Sequence, residues 1–319
     1  FRRVLFRSGF SVDLEAIKKD MARRAPGQSE LTTSRKEADE FEVLSGYFEG
    51  KTTGAPLAII IRNTNQRSKD YSVLKDVLRP GHADYSGKMR YKDCNVYRGS
   101  GHFSGRITAP LVFAGSLAKQ ILESQGIYIG CHIKSIGNVD GRSFDKKELN
   151  ADLLKSLQNM AFPTLEGNDA ESMKQAIVDA KALEDSIGGV IEVAVTGVKA
   201  GIGNPFFDSV ESRLSSMMFS VPAVKGIEFG AGFEIVKMLG SEANDEIYLE
   251  NGQILTESNN NGGIIGGIST GMPIQFRLAI KPPASIGREQ KTINFATKEE
   301  TKLKVEGRHD PCIVPRAMV

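Results

Sequence analysis

Leu14, Ile17 and Met21 recur at the spacing of one helical face, and the run that carries them, SVDLEAIKKDMARRAPG, reads as a helix. Ser11 or Asp13 can cap its start, and Pro26-Gly27 ends it. APLAIIIRN (55–63) is a β-rich apolar run. TAPLVFAGSLAKQILESQG reads as a second helix, with Pro110 in its first turn and Gly126 past its end. Its Ala109, Ala114, Gly115, Ser116 and Ala118 allow close packing. NDAESMKQAIVDAKALEDSIGG predicts a capped amphipathic helix with Met173, Ile177 and Ala180 on one side. VIEVAVTGV (190–198) alternates Ile191, Val193 and Val195, the mark of a half-buried strand. FDSVESRLSSMMFS reads as a helix, and MPIQFRLAIKP (272–282) alternates Ile274, Phe276, Leu278 and Ile280. Helices and strands mix without a strict βαβ rhythm, and strands cluster late, which favours α+β over a doubly wound sheet. No internal repeat, low-complexity linker or domain boundary interrupts the chain.

Composition changes this picture little. The 319 residues are 40% hydrophobic and 25% charged, an ordinary globular balance with enough chain for a sizeable core. The net charge of +2 gives no whole-protein field for nucleic acid or membrane, and 7% aromatics is sparse for RNA binding. No apolar run is long enough to cross a bilayer, and FRRVLFRS lacks the apolar core of a signal peptide. Cys94, Cys131 and Cys312 form no CxxC pair, which reads as a reducing, cytoplasmic setting. The charge distribution is more informative: twelve of the eighteen arginines lie in residues 1–106.

Four segments carry candidate chemistry. In RPGHADYSGKMRY, Arg79, His82 and Asp84 sit in a loop opened by Pro80-Gly81. An arginine fork suits a phosphate or carboxylate, and a histidine beside it can move a proton near neutral pH. Equally, His82 can simply bond Asp84 and fix a turn. In GSGHFSGRITAP, Gly99, Gly101 and Gly105 let backbone N–H groups approach a ligand, with Ser104, Arg106 and Thr108 beside a helix start. That is an anion cradle or a structural glycine turn; it is neither a P-loop nor GxGxxG. NNNGGIIGGISTG (259–271) precedes KPPASIG (281–287), with Lys281 at the end of an alternating strand. Its glycines mark close backbone approach or a flexible surface loop. In RHDPC (308–312), Asp310 can be a base or cap a turn. His82, His102, His132 and His309 lack metal-ligand spacing, and no GxSxG elbow is present.

Long motifs in register, RRAPGQSELTTSRKEADEFEVLSGYFEGKTTGAPLAIIIRNTNQRSKDY, RPGHADY, GHFSGRITAP, VKGIEFGAGF, NNGGIIGGIS and EGRHDPC, closely resemble chorismate synthase from about Gly9 to the last residue. The resemblance implies a β-α-β sandwich with central helices between antiparallel sheets, and a homotetramer. It implies the last step of the shikimate pathway: anti 1,4-elimination of phosphate from 5-enolpyruvylshikimate 3-phosphate to chorismate. Reduced FMN is required without net redox change, with NADPH as a candidate reductant. His82 matches the histidine of flavin proton transfer, and Asp310 the proton acceptor. Arg24, Arg79, Arg106 and Arg308 match substrate-clamping arginines. The flavin-binding positions match His102, Phe103, Ser104, Pro222, Ala223, Gly266 and the run Lys281, Pro282, Pro283, Ala284 and Ser285, with Arg24 and Arg308 shared. No metal, nucleic acid or membrane partner is implied.

The resemblance also has departures. GHFSGRITA stands where many members read GRSSARETA, and Glu30 stands where many carry arginine. Residues 1–8 read as a leader foreign to the family, before a single domain, 9–319, that lacks the family's first strands and its C-terminal helix. The missing strands include an FGESHG-type motif whose histidine serves as general acid. Its loss is expected to cost about 10²–10⁴ in rate. The alternative reading is an inactive flavin- or anion-binding fragment of the same fold.

Overall fold

The computed structural model describes residues 7–27, 31–33, 37–63, 73–92, 94–145, 148–305 and 309–319. Six helices of eight or more residues organise them: α1 (Leu14–Arg24), α2 (Asp84–Tyr91), α3 (Ala109–Glu123), α4 (Ala151–Gln158), α5 (Gly167–Ala182) and α6 (Val210–Met218). Asp13, rather than Ser11, caps α1: its side chain accepts from the amides of Glu15 (2.9 Å) and Ala16 (3.0 Å). Ser11 instead bridges to Lys51.

The α1 and α3 helices pack face to face because small and apolar side chains meet there. Ile17, Met21, Ala109, Phe113 and Leu117 are buried between them. The buried Asp20 is satisfied across this contact by the Ser116 hydroxyl (2.7 Å) and Lys119 Nζ (2.6 Å). The antiparallel pair Phe41–Ser45 and Ala58–Ile61 covers one side of the helices. There Phe41 meets Phe113 edge-on, with centroids 4.8 Å apart. Next to the helices lies a five-stranded antiparallel sheet, ordered Val139–Asp140, Tyr128–Ile136, Gly189–Thr196, Ile274–Ile280, Val224–Phe229. Helices between antiparallel sheets are thus the observed α+β architecture, as expected.

The strand Gly189–Thr196 is more buried than its alternation predicts. Ile191 is 1% exposed, but so, on the opposite face, are Ala194 (0%) and Glu192 (7%). The strand is central, paired to Tyr128–Ile136 on one side and Ile274–Ile280 on the other. One face packs on Met173 and Ile177 of α5, with Val314 and Met318. The other packs under Phe144, Leu154 and Leu157. Glu192 is tolerated because its Oε2 accepts from His132 Nε2 and from the Phe144 amide, both at 2.8 Å. The α5 helix lacks the expected side-chain cap. Asp169 in its first turn is instead taken by the Arg142 amide (3.1 Å).

The glycine-rich run 259–271 is tightly packed rather than a flexible loop. A Cβ on Gly262 would sit 2.5 Å from the Gly230 nitrogen, and one on Gly263 would sit 2.5 Å from the Pro273 oxygen. Both residues have positive φ, so the close-approach reading is the one that holds. The Asp245 carboxylate gathers Ser258 Oγ (2.6 Å) and the Asn260 and Asn261 amides (2.7 and 3.0 Å) beneath it. Among the described residues no helix is long and apolar enough to cross a membrane.

The thiols differ sharply in their surroundings. Cys94 is exposed. Burial pushes the Cys131 thiol up to about 11, and it donates to the Met318 carbonyl at 3.1 Å. Burial likewise pushes Cys312, fully buried, up to about 12. The thiolate is the reactive species. Native protein treated with a maleimide at neutral pH is therefore expected to gain a single adduct, on Cys94, with the other two appearing only in denaturant. Mass spectrometry of the labelled chain checks this, and rapid native labelling of Cys312 would contradict the burial described.

Candidate active site

The segment Arg98–Thr108 lies between two charge clusters. It runs as two short 3₁₀ turns, Arg98–Phe103 and Gly105–Thr108. Three successive residues, Gly99, Ser100 and Gly101, have positive φ (63°, 65° and 50°). Two are glycines, and at Gly101 a Cβ would lie 2.5 Å from the Val96 oxygen. This backbone lets the Ser100 hydroxyl accept from Arg79 Nη2 (3.1 Å). Ser104 caps the second turn through the Arg106 amide (3.3 Å).

Arg79 is the hub of the first cluster and is 5% exposed. Its Nε and Nη2 form a two-pronged contact with Asp84 (2.8 Å each), and its amide donates to Asp84 Oδ2 (3.0 Å). Its Nη1 reaches Ser285 Oγ (3.3 Å), 206 residues away in sequence. His82 Nδ1 lies 2.7 Å from Asp84 Oδ1. Burial alone would push the Asp84 carboxyl up; hydrogen bonds from Arg79 and His82, and their charges, outweigh it and hold it well below the usual carboxylate range. Lys281 closes the loop by donating from Nζ to the Gly81 carbonyl. The sequence reads Arg79–Asp84 as loop, but Asp84 is the first residue of α2, where a carboxylate also suits the helix dipole.

Around this hub lie most of the expected flavin positions. Ala284 packs at Gly81, the Pro283 carbonyl accepts from Ser186 Oγ (2.7 Å), and Pro282 lies against Gly188. The Lys281 amide donates to the carbonyl of Ala223 (2.9 Å), which has φ 73° and follows Pro222. Phe103 lies against Gly87, where a Cβ would come within 2.6 Å of its ring. His102 is exposed, with its ring centroid 6.1 Å from that of Tyr91. Gly266 occupies the turn between Ile264–Ile265 and Ile268–Ser269, with no atom within 4 Å of a built Cβ. Among the described residues no hydrogen bond joins Gly266 to either cluster.

The second cluster pairs arginines with acids that sequence reasoning missed. Arg24, 4% exposed, bonds Thr108 Oγ1 (3.2 Å), the Gly105 carbonyl (2.9 Å) and Asp39. Burial draws its pKa below the usual guanidinium value, against the pull of Asp39. Arg106 lies 3.1 Å from Glu37. Asp310 accepts from Arg316 Nη1 (2.6 Å) and from the Thr33 amide (2.9 Å). Arg316 Nε also donates to the Arg24 carbonyl (2.9 Å), which ties Asp310 to Arg24. The signal that could have found Glu37, Asp39 and Arg316 is electroneutrality, because a buried guanidinium or carboxylate needs a partner. Arg308, Glu30 and residues 1–6 lie outside the described residues, and so does most of the leader 1–8.

The donor set suits an anionic group. Lys281, Ser104 and Ser285 offer a cation and hydroxyls, and Gly99, Gly105 and Gly266 leave open space where a side chain would stand. Among the described residues no group of three metal-ligating side chains occurs.

A family model described as chorismate synthase matches residues 6–319. A chorismate synthase from Methanocaldococcus jannaschii is 45% identical over 312 residues, covering 95% of this chain and 82% of that protein. One from Thermococcus kodakarensis is 41% identical, covering 97% and 85%. A chorismate synthase crystal structure superposes with a TM-score of 0.70 at 29% identity, covering 98% of this chain and 80% of the other. Since the family model spans both charge clusters and the sheet beside them, the chain belongs to the chorismate synthase family.

Proposed function

We propose that this chain removes phosphate and a ring hydrogen from 5-enolpyruvylshikimate 3-phosphate by anti 1,4-elimination, and that reduced FMN is its cofactor. The observation that carries the reading is the convergence of three distant segments, 79–84, 98–104 and 281–285, on the Arg79 guanidinium. Reduced FMN, when bound, lends and recovers an electron, which accounts for its need in a reaction with no net redox change. His102, Phe103, Ser104, Pro222, Ala223, Gly266 and the run Lys281 to Ser285 would hold it. Arg24, Arg79, Arg106 and Arg308 would meet the substrate's phosphate and carboxylates as forked cations. His82 would keep the proton inventory of the site through Nε2, which has no hydrogen-bond partner among the described residues. Asp310 would accept the ring proton. NADPH is the candidate reductant, and the cytoplasm the compartment.

A homotetramer fits the surface. Phe206, Phe207, Phe233 and Ile247 are 87%, 97%, 79% and 74% exposed, large apolar side chains that further copies of the chain would cover.

The test is an anaerobic assay with substrate and reduced FMN, following chorismate absorbance. Product is expected only when reduced flavin is present, with His82→Ala slower by about 10²–10⁴. No product from folded chain with reduced FMN would overturn the reading.

A further inference from the structure

We infer that Asp84 is a positioning residue of this site: it holds His82 as the Nδ1–H tautomer, so that the Nε2 lone pair is the one presented to reactants. The inference rests on the proton-carrying role proposed for His82. A carboxylate can only accept, so the 2.7 Å approach of His82 Nδ1 to Asp84 Oδ1 requires a proton on Nδ1. The rival donor is Arg79 Nη2, 3.0 Å from the same nitrogen. Its two hydrogens already have acceptors in Asp84 Oδ1 (2.8 Å) and Ser100 Oγ (3.1 Å). With Nδ1 the donor, Nε2 is left as the base.

Asp84 is itself immobilised, which a positioning residue needs. The Arg79 fork and amide hold both of its oxygens, and α2 begins at its backbone. Arg79 in turn is anchored by Ser285 and Ser100, while Lys281 grips the Gly81 carbonyl between Arg79 and His82. Among the described residues, Arg79, Asp84 and Lys281 are the charged groups bonded to His82 or to the loop that carries it. In this arrangement the Arg79 fork to Asp84 supports the dyad.

The test uses the full chain labelled with ¹⁵N-histidine, with His82 assigned by loss of its signals in His82→Gln. In the unmodified protein the neutral ring is expected to show a protonated Nδ1 and a bare Nε2. In Asp84→Asn the side-chain amide can donate to Nδ1, so the tautomer is expected to invert. Turnover should then fall about 10²–10⁴-fold with KM little changed, and Asp84→Glu should restore part of it. A protonated Nε2 in the unmodified protein overturns the inference without any variant. So does an Asp84→Asn protein that keeps its tautomer and its turnover while His82→Gln is inactive. If His82→Gln turns over normally, the proposed role of His82 fails first, whatever its tautomer.

Discussion

Asp310→Asn is expected to lower turnover by about 10²–10⁴-fold while substrate and flavin still bind. Among the described residues, each Asp310 oxygen has one partner, the Thr33 amide or Arg316 Nη1. A carboxylate oxygen carries two acceptor positions, so each retains one for an incoming proton. The segment is rigidly placed: Ile187 donates to the Pro311 carbonyl (2.8 Å), and Cys312 is fully buried. Asparagine keeps the shape and loses the basicity, so its effect should fall on kcat and not on KM. It also turns an amide toward Arg316, so the urea midpoint of the variant must be compared with the parent. Arg316→Ala is the companion. It frees one oxygen without removing the base, and should lose less than Asp310→Asn. A rate for Asp310→Asn within about tenfold of the parent, in a folded protein, would remove Asp310 from the chemistry.

The elements that declared themselves in sequence are those with a single buried face. The α1 and α3 helices show an apolar stripe with a cap or a first-turn proline, and Ile274–Ile280 alternates cleanly because Ala279 on its other face is exposed. The strand Tyr128–Ile136 did not, since both faces are covered and polar His132 and Lys134 are buried within it. The α2 helix was hidden by Pro80-Gly81 before it and by Gly87 inside it, a glycine with helical φ whose missing side chain leaves room for the Phe103 ring. In the site, His82 and Asp84 were readable because a single residue separates them. Glu37 and Asp39 were not, because their pairing with Arg106 and Arg24 arises only when α1, the start of α3 and the segment before Phe41 fold together. Charge neutrality in a folded interior is a tertiary property, and local spacing does not report it.

Arg24→Ala is expected to destabilise the fold by about 3–5 kcal/mol, read as a lowered urea midpoint. The Arg24 and Asp39 side chains are 5% and 10% exposed, so removing the cation strands a buried carboxylate. The same change breaks the bonds to Thr108 and the Gly105 carbonyl that join the end of α1 to the start of α3. Two causes are therefore mixed in the single variant, and a second one separates them. Arg24→Met with Asp39→Asn keeps most of the volume and removes both charges. Asparagine also tolerates the φ of 49° that Asp39 adopts. If the stranded charge dominates, the double variant should recover most of the loss, since replacing both members of a buried pair is often close to neutral. If the double variant is as unstable as Arg24→Ala, the bonds to Thr108 and Gly105 are the larger contribution. In that case Arg24 serves chiefly to tie the two central helices to the loop that shapes the site.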